Sequence, residues 1–152
     1  MNLKRAIIVT SVVAVGCISV FATYKGKEKD ALDKRIFKTT MVEVKENQPP
    51  KKGVEDELEF KGGKVFSNFL FDKLEYKWIK YEIKKDSSFT DEDAADVQWI
   101  EGEASTTNSD DQTLMMTFKV ENYDIEGNIK ITKHDKLKKQ YDFTGKEKPK
   151  KK

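Results

Sequence analysis

With 152 residues, 37% of them charged and 11% aromatic, the chain has room for one compact core with short appendages and carries too many bulky side chains for a disordered segment. Its single cysteine, Cys17, excludes an internal disulfide, and with one histidine, His134, the usual zinc spacings are excluded too. Lys4 and Arg5 account for the formal charge of +2, so residues 23–152 sum to zero.

Met1 to Arg5 carries those two cations, and Ala6 to Ala22 then runs without a charge until Lys25. A positive start followed by an apolar run is the pattern of an export segment. As a helix it would reach about 25 Å, slightly short of a bilayer core, so length leaves three fates open. Cleavage after Ala22 would use Val20 and Ala22 as the small residues before the cut. Retention would leave a single-span anchor with its N-terminus in the cytoplasm. Lipidation would use Cys17, since Ala14-Val15-Gly16-Cys17 resembles the bacterial lipoprotein box. Each fate places the rest of the chain outside the cytoplasm, in the periplasm or elsewhere in the cell envelope.

Residues 23–34 are polar and read as a linker. Arg35 to Lys45 is β-rich with apolar residues on both parities, and Glu46 to Gly53, with Pro49 and Pro50, is loop. Leu58 and Phe60 alternate with charge. Gly62-Gly63 then makes a two-residue hairpin into a strand from Lys64 to Leu70, because paired glycines allow the positive φ that such turns need. In Lys73 to Lys84 the apolar parity flips between Trp78 and Ile79. That flip predicts a strand with a bulge there, or alternatively a helix, since Tyr76, Ile79 and Ile83 are three and four apart.

Asp96 to Ala104 is the next strand and Ser105 to Gln112 a polar loop. Leu114, Met116, Phe118 and Val120 make the clearest half-buried strand, with every second residue apolar. A turn over Glu121 to Asp124 leads into Ile125, Ile129 and Ile131, with Gly127 on their parity. His134-Asp135 turns the chain again, and Leu137, Tyr141 and Phe143 mark the last strand before Gly145. The sequence thus predicts an all-β domain over residues 35–145, a single antiparallel up-and-down barrel of about eight strands with no helix of its own. Residues 146–152 hold five lysines and one glutamate and read as a basic disordered tail.

The segments Glu59 to Ser67 (EFKGGKVFS), Ile125 to Lys133 (IEGNIKITK) and Tyr141 to Gly145 (YDFTG) resemble the small exported lipocalin-like, calycin-type barrels of bacterial envelopes. That resemblance implies a barrel able to hold a small hydrophobic or amphipathic ligand. The residues placed to line such a cavity are Phe60, Phe66, Tyr76, Trp78, Trp99, Met116, Phe118, Tyr141 and Phe143, which could equally fill a closed core.

Catalytic chemistry finds little to work with. His134 lies in a polar turn, and neither a Gly-x-Ser-x-Gly elbow nor a phosphate-binding glycine loop occurs. The nine acidic residues from Asp86 to Asp111 contain no interspersed Lys or Arg. They read as solvated negative surface, or as a calcium loop around Asp91, Glu92, Asp93 and Asp96 that lacks the glycine and terminal glutamate of an EF-hand. No aromatic residue interleaves the C-terminal lysines, which argues against nucleic acid. The expectation is a non-enzymatic protein without cofactor or resident metal. It meets the membrane through its N-terminal segment and either binds a small apolar ligand or presents its surface to a protein partner whose identity the residues leave open.

Overall fold

The computed structural model describes residues 30–90, 92–93 and 96–150. The apolar N-terminal segment and Cys17 lie outside them. By compactness the chain divides into residues 1–31 and 32–152, and the second unit holds the barrel.

Eight strands close an all-antiparallel barrel in sequence order: β1 (Ile36–Glu43), β2 (Val54–Lys61), β3 (Lys64–Ser67), β4 (Ile79–Thr90), β5 (Asp96–Thr107), β6 (Gln112–Glu121), β7 (Asp124–Lys133) and β8 (Lys136–Glu147). Closure comes from β8 pairing with β1, from Phe37 opposite Glu147 to Glu43 opposite Tyr141. One helix, α1 (Asn68–Leu74), interrupts the meander between β3 and β4.

Alternation of side chains decides which face of each strand is buried. Phe37, Thr39 and Met41 of β1, Leu58 and Phe60 of β2, and Leu114, Met116, Phe118 and Val120 of β6 are all buried, while their neighbours in sequence are exposed or half-buried. Phe60 meets Phe37, Tyr81 and Phe118 edge to face with ring centroids 5.8, 5.2 and 5.3 Å apart. Each such pair contributes about 0.5–1.5 kcal/mol beyond the area it buries, so Phe60 is the hub of the core. Gly102 and Gly127 face inward beneath two of the rings: a Cβ on Gly102 would collide with Phe118, and one on Gly127 with Phe143.

The ends differ. At one, the β2–β3 turn uses Gly62 and Gly63 with φ of 57° and 73°, as their pairing predicts. Lys34 N–H donates to the Phe60 carbonyl (2.8 Å), and Leu32 and Arg35, on either side of it, are buried. At the other end, α1 stands over the barrel mouth, with Asn108 donating to the Leu74 carbonyl and the Tyr76 hydroxyl to that of Gln112.

Several expectations are corrected. The strand from Lys64 ends at Ser67 rather than Leu70, because Ser67 caps α1: its hydroxyl accepts from Leu70 N–H (3.0 Å), and Leu70 buries its side chain. The domain therefore does contain a helix, ended by Glu75 in the left-handed conformation. The strand expected from Lys73 begins at Ile79, so the parity flip at Trp78 and Ile79 marks a strand start. The bulge lies further on, between Ile83 and Lys85. The polar loop expected from Ser105 to Gln112 shrinks to a turn, since β5 runs to Thr107 and β6 begins at Gln112. β8 continues through Lys146 and Glu147, and Lys148 N–H donates to the Ile36 carbonyl, so the first residues of the lysine-rich tail pair with β1.

Candidate functional site

The nine aromatic and methionine positions fall in two environments. Phe60, Met116, Phe118, Tyr141 and Phe143 point into the barrel and are buried, and Tyr76 is buried beneath α1. Phe66, Trp78 and Trp99 point outward. Phe66 lies opposite Glu59 in the β2–β3 ladder, whereas the inward pair beside it is Phe60 and Val65. Trp99 lies opposite Glu121, carries the Lys119 ammonium 3.9 Å from its ring centre and donates its indole N–H to Glu101.

A cavity able to hold even one water would leave accessible surface on the side chains around it. Phe37, Leu58, Phe60, Ile100, Leu114, Val120 and Ile129, which come from five of the eight strands, have 0% exposure. Side chains therefore fill this part of the interior and leave no room for water among them. Phe37, Tyr81 and Ile100, absent from the sequence-based set, complete it. Their alternation with charged neighbours was the signal available for them.

Polar groups inside the barrel are placed at its ends and are satisfied. Arg35 Nε and Nη2 donate to Glu147 (3.0 and 2.7 Å), Nη1 donates to Gln98 (3.2 Å) and Nη2 also donates to the Asn122 carbonyl. The guanidinium lies 5.0 Å from the centre of the Phe37 ring, so one group bridges the start of β1, β5, the β6–β7 turn and the end of β8. Toward α1, the buried Asp56 carboxylate accepts from the Ser67 hydroxyl (2.6 Å) and from Phe69 N–H (2.9 Å). Sequence reasoning had no signal for Arg35, Asp56 or Glu147, because their partners are set by register.

Electrostatics adds little that resembles a reacting centre. Burial pushes the Tyr76 and Tyr141 hydroxyls above the ordinary tyrosine range, with nearby Asp110 and Glu43 acting the same way. The hydrogen bond from Lys51 holds the Glu43 carboxyl below its usual value. His134 is exposed in the β7–β8 turn, with φ of 51°. Among the described residues, no three His, Cys, Asp or Glu side chains converge as a metal site; Asp91 lies outside them.

On the outer wall the Phe66 ring lies 5.7 Å from Phe71 of α1 and 5.2 Å from Trp78, centre to centre. Beside this trio, Lys61, Lys64 and Lys80 stand in one row across β2, β3 and β4, since Lys64 is the register partner of both others. No protein-family model matches the chain, and no curated protein or solved structure matches it either.

Proposed function

We propose that the chain is a non-enzymatic, lipocalin-like module of the cell envelope, held at a membrane by its N-terminal segment, and that its barrel works through its outer surface as an accessory interaction domain. The filled interior supports this reading most directly. The hub ring of Phe60 and the zero exposure of the side chains around it leave the centre of the barrel to the chain itself. The up-and-down strand order supports the lipocalin-like comparison, and the charge-free run from Ala6 to Ala22 supports export.

Carriage of a small hydrophobic ligand is the second reading. What favours it is α1 over the barrel mouth, held by Asp56 and Ser67 in the position a lid would occupy. Solvent extraction of the purified full-length chain followed by mass spectrometry separates the two. The accessory reading expects no apolar compound in fixed ratio to the polypeptide, and one passenger recovered at one per chain would replace it with the carrier. Cell fractionation tests the location: recovery with the cytoplasmic fraction would remove the envelope assignment.

A further inference from the structure

We infer that the outer face of β2, β3 and β4, with Trp78 at its centre, docks on a lipid bilayer that carries anionic headgroups; the inference rests on the membrane reading above. Single exposed apolar residues are ordinary, but three touching rings on the outside of a small barrel are not. Trp78 and Phe71 are 41% and 43% exposed, although each lies within ring contact of Phe66. Nothing in the packing of the barrel requires them: the inward residues of this region are Val65, Ser67 and Ile79.

The charges beside the rings select the partner. Lys61, Lys64 and Lys80 face out in cross-strand registry, and like charges directly opposite one another destabilise a sheet. Some other lysines on the wall are neutralised, Lys84 by Glu82 and Glu103, Lys119 by Glu126 and Lys148 by Glu57, so the row is set apart by its registry beside the rings. Lys61 and Lys64 hold no ion pair among the described residues. Lys80 acts on Glu82, which is itself already bonded to Lys84 at 2.8 Å. Glu59, the register partner of Phe66, and Asp72, which follows Phe71, are acids beside the rings, and the three lysines of the row outnumber them.

Aromatic rings next to unpaired lysines suit the headgroup layer, where an indole sits between oil and water and ammonium groups meet lipid phosphates. A protein partner fits less well, because three rings and three lysines fall far short of the roughly 20–30 residues a side of a stable interface. The chain between residue 22 and Leu32 spans at most about 35 Å, enough reach for an anchored domain to lay its wall on the same membrane.

The test uses the full chain in vesicles of phosphatidylcholine, with or without phosphatidylglycerol, whose brominated acyl chains quench nearby tryptophan. Trp99→Phe leaves Trp78 as the reporter, and Trp78→Phe leaves Trp99. Trp78 should be quenched in the anionic vesicles and much less in the neutral ones, with Trp99 unaffected in both. Each lysine near an anionic surface contributes about a fivefold gain, so adding Lys64→Gln and Lys80→Gln should lower the equilibrium constant for docking about thirtyfold. Equal quenching of the two tryptophans, or quenching of Trp78 indifferent to phosphatidylglycerol or to the lysine changes, overturns the docking face alone. A chain that fails to float with the vesicles overturns the membrane reading and the docking face together.

Discussion

Arg35 and Glu147, separated by 112 positions in sequence, form an ion pair of 2.7 Å that ties the entry of β1 to the end of β8. Both side chains are about nine-tenths buried, and Gln98 and the Asn122 carbonyl each take a further guanidinium hydrogen. A barrel has no free edge only while its first and last strands stay paired, so this contact fastens the seam on which closure depends.

Removing one member of that pair leaves the other as an uncompensated buried charge. Arg35→Met should therefore cost about 3 kcal/mol or more, read as a lowered urea midpoint. Arg35→Met with Glu147→Leu should recover most of the loss, because two apolar side chains leave no stranded charge. A single variant as stable as the parent protein would mean that the pair does not hold the seam.

The glycines under the rings make a second, steric prediction. Gly102→Ala places a methyl group against Phe118, which touches Phe60 and Tyr81 in turn. Overpacking of this kind costs about 1–3 kcal/mol. Phe118→Leu in the same chain should relieve part of it, so the double variant should be more stable than additivity of the single changes allows. Strict additivity in a denaturant cycle would show that the two positions are not in contact.

The contrast between legible and hidden features follows from range. Leu114, Met116, Phe118 and Val120 repeat every second residue, and Gly62-Gly63 can do little else but turn, so β6 and the first hairpin could be read locally. α1 could not, since a seven-residue helix with Leu70 as its buried residue has no room for a helical period. The direction of Phe66 was hidden for another reason. Bulk suggests the core, yet pairing with β2 turns the smaller Val65 and Ser67 inward and sends Phe66 out. Trp78 misled in the same way, because β4 begins one residue after it. Arg35 and Glu147 lie beyond any local signal.

Alkaline pH should loosen the barrel at two points. Burial raises the ionisation of Tyr76 and Tyr141 above that of an unfolded tyrosine, so the native state holds protons that the unfolded state releases. The stabilising contribution is complete below about pH 10 and is lost as pH climbs through the raised native values. An ultraviolet titration of the native protein should show tyrosines ionising later than in denaturant. Tyr141→Phe should flatten the alkaline fall in stability, and an unchanged slope would assign the fall to other groups.

The hold on α1 gives the last prediction, because one hydroxyl serves two partners there. Ser67 accepts from Leu70 N–H as the helix cap and donates to Asp56, whose other oxygen takes Phe69 N–H. Ser67→Ala removes the cap, at about 1 kcal/mol, and leaves Asp56 with a buried oxygen lacking its donor. The loss should be local, since α1 reaches the core only through Leu70 and the edge contact of Phe69 with Tyr141, and the strands below are paired independently of it. Hydrogen exchange should therefore speed up at residues 68–74 while amides of β6 and β7 keep their protection. Asp56→Asn keeps an acceptor for Phe69 N–H but weakens the bond to Ser67, and should fall between the two. Uniform acceleration across the barrel would mean that α1 is part of the cooperative core rather than a cover over the mouth.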